Sequence, residues 1–307
     1  MNEFLNLLNK KFAIDGSVVI KEIDPSEKNS LLYIDINNEF ASATIHLQGA
    51  HLTAWAPNNA VPVIWLSEAA KFVSNKSIRG GIPICWPWFG ENQTNREYPA
   101  HGFARTVLWE IESIEILNSG KTQVILSLPQ NNIPSTQWQF NTQVQCIFTI
   151  GQTLELEIVT YNHGKEKIVI GEALHTYFNV CDVRNILIVG LDECEYLDKL
   201  EKFKNKTQSG SIAIKQEIDR IYLSTLQDCI IEDLGFNRRI KILKKGSLST
   251  IVWNPWCDTA NKMGDLGDNG YLNMICVESA NAAQNVVTIE PEQKHSLFVQ
   301  YTIEEIE

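Results

Sequence analysis

The chain has 307 residues, 44% of them hydrophobic and 21% charged, a composition that fits an ordinary globular protein and excludes a disordered or collagen-like one. A formal charge of −11 argues against nucleic acid or an anionic membrane as partner, so any anionic ligand must meet a local cluster of cations. Seven cysteines without a C-x-x-C pair give neither a disulfide framework nor a zinc motif and point to a reducing cytoplasm, and neither a secretory signal nor a run of ~18 apolar residues is found.

In chain order, the pattern predicts a short amphipathic helix over 2–12, capped by Asn2, with Phe4, Leu5 and Leu8 on one face, serving as a lid or edge helix. Gly16 separates it from a strand that begins at Val18. Residues 31–56 read as three extended runs, LLYIDI, SATIHL and HLTAWAP, in which His46 and His51 are structural. Residues 107–117 and 122–128 form a hairpin across Asn118-Ser119-Gly120. Val144, Cys146, Phe148 and Ile150, then Leu154, Leu156 and Ile158, alternate with polar residues across Gly151-Gln152, the period of half-buried strands. Residues 168–180, IVIGEALHTYFNV, are apolar almost throughout, as expected of one strand buried on both faces or lining a cleft. Residues 199–209 are polar and rich in breakers and predict a mobile loop. Short β-like runs continue on both sides of it to a last alternating strand through Leu297, Val299, Tyr301 and Ile303. The chain therefore reads as a single all-β domain over 1–307 with antiparallel sandwich architecture. Asp265, Asp268 and Gly270 resemble part of a calcium loop but lack its spacing and terminal acid, so that loop is structural.

One stretch, residues 77–105, fits neither period. Arg79 precedes Gly80 and Gly81, whose lack of a Cβ lets backbone N–H groups approach an anion. Trp86, Trp88 and Phe89 offer flat apolar faces of the kind sugar rings stack on, and His101 and Arg105 close the segment. Elsewhere His175 and Glu278 stand beside apolar text, and convergence of three strands on a cleft would make His101, His175 and Glu278 a set able to exchange protons near neutral pH. The same three could ligate a metal, although no H-x-H or H-E-x-x-H spacing supports it. Asp219-Arg220 reads either as an exposed ion pair or as part of a site.

The segments SIRGGIPICWPWFG, PAHGFAR, EALHTYFNV, EIDRIYL and VWNPW through MICVESAN resemble the aldose 1-epimerase superfamily, in its hexose-6-phosphate mutarotase (glucose-6-phosphate 1-epimerase) branch, from about residue 30 to the C-terminus. The resemblance implies a galactose-mutarotase-like supersandwich, no cofactor and no metal, and a small-molecule sugar phosphate as partner. It implies that His175 is the acid that protonates the ring oxygen and Glu278 the base that takes the anomeric proton. His101 and Asp219 would bind hydroxyl groups, and Arg79 and Arg105 would line the sugar-phosphate site. The departure lies in the polar insertion at 199–209. Two competing readings remain: a non-catalytic carbohydrate-binding or regulatory sandwich, which needs the aromatics without the His/Glu pair, and a glycoside-cleaving enzyme that uses Glu278 and Asp219 as paired carboxylates.

Overall fold

Two large antiparallel sheets carry the architecture of the computed structural model, which describes residues 3–24, 26 and 30–306. Asn2, expected to cap the first helix, lies outside the described residues. The nine-stranded sheet runs, in spatial order, Ile212–Ala213, Ile186–Val189, Cys229–Asp233, Arg238–Lys245, Lys294–Glu305, Leu154–Asn162, Thr142–Ile150, Thr122–Leu128 and Glu110–Ile116. Its centre is where the alternation was clearest: Cys146 pairs with Ile158 and Phe148 with Leu156, all buried, so a single hydrophobic face is built from both strands.

The eight-stranded sheet follows Lys204–Thr207, Glu195–Asp198, Ile218–Leu223, Ser249–Asn254, Met274–Asn281, Glu172–Leu174 and Ile84–Cys85, with Tyr177–Asn179 also pairing to Met274–Asn281. The two sheets share one core, in which Tyr222, Val252 and Val277 from one meet Leu156, Val299 and Tyr301 from the other. The Phe178 and Tyr301 rings meet edge to face at 5.0 Å. Met274–Asn281 is buried at all eight positions. One of its faces belongs to that core, and the other, bearing Cys276, Glu278 and Ala280, lies under a second layer of chain.

A four-stranded sheet of Val18–Glu22, Leu32–Asn37, Ala41–His46 and His51–Pro57 and a pair formed by Ile168–Ile170 and Val287–Ile289 complete the β structure. Helix Glu3–Phe12 covers the edge strand of the four-stranded sheet. The Asn9 side chain donates to Ile20 O and accepts from Ile20 N, both at 2.8 Å, which satisfies groups that an open sheet edge would expose. His46 and His51 are buried, as expected of structural histidines, and the His51 Nε2 lies 2.8 Å from Gly80 O.

Two expectations need correction. Residues 168–180 are three short strands rather than one, Ile168–Ile170, Glu172–Leu174 and Tyr177–Asn179. The chain changes partners between them, with His175 N bonding Pro83 O and Tyr177 N bonding Gly81 O. Residues 199–209 form no structureless loop. A 3₁₀ turn at Lys199–Glu201 leads into Lys204–Thr207, which pairs in register with Glu195–Asp198 as the edge of the eight-stranded sheet. Helix Trp256–Met263 follows the strand Ser249–Asn254.

Candidate active site

Strand register sets the floor of the site. Asp219 lies opposite Trp253, Trp253 opposite Cys276, and Cys276 opposite Tyr177, which gives one row across the sheet. Ile221, Ile251 and Glu278 make the next row. Residues opposite one another in a sheet, and those two apart along a strand, project from the same face. Both rows therefore point toward residues 77–105, which form the facing wall. Between them is a cavity of about 290 Å³ lined by all six residues singled out from the sequence: Arg79, His101, Arg105, His175, Asp219 and Glu278. Phe89, Tyr177, Trp253 and Lys199 line it as well. A wider cleft of about 550 Å³ beside Trp65 carries Glu68 and Asp268 but neither an imidazole nor a cation in its lining.

His175 Nε2 and Glu278 Oε1 are 3.4 Å apart, with the two side chains 11% and 1% exposed. The His175 ring stacks on Tyr177, centroids 5.0 Å apart and planes 14° from parallel, which fixes its orientation. Burial holds the His175 imidazole well below the usual histidine range, and His101, Arg105 and Arg79 act in the same direction. Burial pushes Glu278 well above the usual carboxylate range, against the pull of Lys199 and Arg105. Both shifts favour the uncharged forms, a neutral ring beside a protonated carboxyl. That state and the ion pair hold the same single proton, so passing between them needs only a transfer across the contact. His175 Nδ1 and Glu278 Oε2 are buried with no hydrogen-bond partner among the described residues, a cost that hydroxyl groups of a ligand would relieve.

His101 is held differently. Its backbone is left-handed, φ 68°, and is followed by Gly102 at φ 74°, where a Cβ would lie 2.0 Å from Trp86 O. The Gly90 N–H donates to His101 Nδ1 at 3.4 Å, and Cys85 Sγ lies 3.4 Å from the same nitrogen. A backbone amide can only donate, so Nδ1 is an acceptor and the proton of the neutral ring sits on Nε2. Burial, with Arg105, Lys199 and Arg79 nearby, lowers the His101 pKa to about 3. The ring is thus a neutral hydrogen-bond donor at neutral pH.

Three cations reach the cavity with different commitments. Arg79 Nε bonds Asp265 Oδ1 at 3.0 Å and its Nη1 donates to the Tyr177 hydroxyl at 2.9 Å. Arg105 donates to Ala100 O at 2.8 Å. Lys199 Nζ lies 2.6 Å from Asp219 Oδ2. Asp219 is thus tied to Lys199 rather than to its neighbour Arg220, which donates to Gln208 Oε1. Burial raises the Asp219 pKa, and Lys199 opposes the rise.

Two readings of residues 77–105 are corrected. The Gly81 N–H donates to Trp65 O at 2.7 Å and so is not offered to an anion. Gly80 and Gly81 are required by close approach, since a Cβ on the first would meet Leu66 Cα at 2.7 Å and one on the second His51 Nε2 at 2.5 Å. Trp86 is a fully buried core residue, its Nε1 donating to Thr160 Oγ1, and Trp88 donates to Pro99 O. Phe89, Tyr177 and Trp253 are the aromatics that line the cavity. Trp253 stood in the VWNPW run without being singled out, while nothing local marked Lys199, which the pairing of Glu195–Asp198 with Ile218–Leu223 carries to the cavity.

Comparison with known proteins places the chain among sugar-converting enzymes. The family model described as aldose 1-epimerase matches residues 33–302. A protein of Escherichia coli K12 named "Putative glucose-6-phosphate 1-epimerase" is 33% identical over 295 residues, 94% of this chain and 97% of that protein. One of the same name from Salmonella typhimurium is 32% identical over 292 residues, 93% of this chain and 96% of the other. The crystal structure of a "putative mutarotase" from Salmonella typhimurium superposes with a TM-score of 0.87 at 27% identity and covers 99% of this chain and 100% of its own.

Proposed function

The chain belongs to the aldose 1-epimerase family, and from that premise we propose that it interconverts the α and β anomers of a hexose 6-phosphate such as glucose 6-phosphate. The observation that carries the reading is the His175–Glu278 contact in a cavity that three cations also reach. Glu278 takes the proton of the C1 hydroxyl while His175 gives one to the ring oxygen, and the bond between C1 and that oxygen opens to the aldehyde. Rotation about C1–C2 and reclosure on the other face invert the anomer, and the two transfers run in reverse. Ring opening leaves His175 neutral and Glu278 protonated, the state that burial favours, so the protein stabilises the distribution the open-chain intermediate requires. His101 Nε2–H and Asp219 bind hydroxyl groups, Arg79 and Arg105 take the phosphate, and Trp253 and Phe89 flank the ring.

The competing readings fit less well. A glycoside-cleaving mechanism needs a second carboxylate free to act, and Asp219 is bonded to Lys199. A binding module has no use for a buried acid/base pair. The chain acts as one domain, a reading supported by a core cluster that includes residues from Phe12 to Tyr301. It works in the cytoplasm, in keeping with seven unpaired cysteines. Among the described residues no helix is long and apolar enough to cross a membrane.

The test is NMR exchange between the anomeric protons of glucose 6-phosphate, with glucose beside it. The reading expects exchange well above the uncatalysed rate and a preference for the phosphate. No acceleration of either sugar would overturn it.

A further inference from the structure

Cys276 brings a third ligating side chain to the acid/base pair. One donor atom each from His175, Cys276 and Glu278 lie within 4.8 Å of one another, and all three residues are buried. A buried cysteine ordinarily packs as a small apolar side chain. Cys276, however, projects from the same sheet face as Glu278, two residues along the strand, and among the described residues Glu278 Oε2 and His175 Nδ1 have no hydrogen-bond partner. The metal set considered from the sequence had His101 in this place, but the His101 Nδ1 is engaged by Gly90 N and Cys85 Sγ.

We propose that the sugar-free site binds one zinc(II) ion through the His175 imidazole, the Cys276 thiolate and the Glu278 carboxylate, and that this ion inhibits the enzyme. One nitrogen, one sulfur and one oxygen make a donor set suited to zinc. Calcium and magnesium, which take six or more oxygens, are poorly served by it. Donors bound to one tetrahedral zinc at ~2.0–2.3 Å sit roughly 3.3–3.8 Å apart, so side-chain shifts of about 1 Å close the site. On binding, the thiol proton and the carboxyl proton, where present, pass to buffer as the S–Zn and O–Zn bonds form, and no electron is transferred. The fourth position is left to water. Zinc ties up the atoms that exchange protons with the sugar, so ion and substrate exclude each other.

The site itself is tested without turnover. Calorimetric titration of the purified chain with zinc chloride should show one ion per chain, and cobalt(II) chloride should give a near-ultraviolet thiolate-to-metal band. Cys276→Ser should weaken zinc binding on the order of 100-fold and abolish the band, and Cys276→Ala serves as the second variant should the first misfold. Glucose 6-phosphate should raise the apparent Kd for zinc in proportion to its concentration. Equal zinc affinity in the wild type and both cysteine variants, or a cobalt complex without a thiolate band, would overturn the site. Inhibition rests on the mutarotase reading and is assayed separately, each protein against its own metal-free rate, with wild type inhibited at zinc concentrations that spare the variants. Thiolate-dependent binding by a chain that turned over no sugar would keep the site and remove that reading. Turnover unchanged at saturating zinc would remove the inhibition and leave the reading standing.

Discussion

Arg79 and Arg105 both reach the cavity, but their surroundings predict different consequences when each is replaced by methionine. Arg105 is half-buried, and its guanidinium donates to a backbone carbonyl, Ala100 O, that water can satisfy instead. A charge-assisted hydrogen bond to phosphate contributes roughly 1.5–3 kcal/mol, so Arg105→Met should lower kcat/KM for glucose 6-phosphate about 10- to 150-fold. Glucose should change by less than about 3-fold, and unfolding stability by under ~1 kcal/mol. Arg79 is tied to Asp265 and to the hydroxyl of Tyr177, a residue only 2% exposed. Arg79→Met strands that hydroxyl, at about 1–3 kcal/mol of stability, and frees the ring on which His175 stacks. Both substrates should therefore suffer, the phosphate more. The assay is kcat/KM for the two sugars by anomeric exchange, with urea unfolding of each variant. Equal losses for both sugars in Arg105→Met would refute a phosphate role for Arg105. An Arg79→Met protein of unchanged stability that lost only the phosphate reaction would refute the positional role of Arg79.

His175→Asn or Glu278→Gln should each cut turnover on the order of 100-fold or more while folding persists, and a single variant with full turnover would remove that residue from the mechanism. In the wild type, burial resists a second proton on His175 and the loss of the one on Glu278, so kcat/KM for glucose should be flat around neutrality and fall only at acid and alkaline extremes. A sharp optimum at the ordinary histidine pKa would contradict a shared proton. Gly81→Ala should cost about 2–3 kcal/mol in urea unfolding, because at φ 70° its Cβ would lie 2.5 Å from both His51 Nε2 and Leu52 O, and an unaffected midpoint would show that this wall yields. Burial lowers the pKa of His46 to about 4 and that of His51 to about 3, so the unfolded chain takes up their protons first. The stability they contribute is full above pH ~6.5 and is lost as pH falls through the folded values, on the order of 3 kcal/mol for His46 alone. His46→Gln should make that acid slope shallower, and an unaltered slope would exclude the histidine as its source.

How far the fold can be read from the sequence depends on whether a strand has one dry face. Thr142–Ile150 and Leu154–Asn162 each bury one side, so their period shows in the letters. Lys204–Thr207 has almost no buried side, being exposed at three of its four positions, and its text is that of a loop although each of its residues pairs with Glu195–Asp198. Met274–Asn281 fails in the opposite way. Burial on both faces erases alternation, so the bounds of this strand do not show in the letters, and Glu278, which stands beside apolar text, lies inside it. Residues 168–180 were legible as buried but not as broken, because their breaks are made by hydrogen bonds to Pro83 and Gly81, far away in sequence.

The site was legible where chemistry conflicts with packing. His101, His175 and Glu278 are polar letters in apolar or constrained text, and burying such groups is costly unless they serve a ligand. Trp86 misled for the converse reason: an aromatic in a glycine- and proline-rich segment reads alike whether it faces a sugar or the core, and here it packs edge-on against Phe103 and Trp138. Lys199 shows what no local pattern holds. It stands one residue past the strand Glu195–Asp198, and that strand pairs with Ile218–Leu223 so that Asp198 lies opposite Arg220. Register alone carries Lys199 over Asp219, where the two form a 2.6 Å ion pair, and Lys199 is also the leading opponent of the burial that keeps Glu278 protonated. A hydroxyl group that displaced Asp219 from Lys199 would leave that cation freer to draw Glu278 toward its ionised, proton-accepting form. Substrate binding and activation of the base would then be coupled through one lysine in the turn that leads into the edge strand.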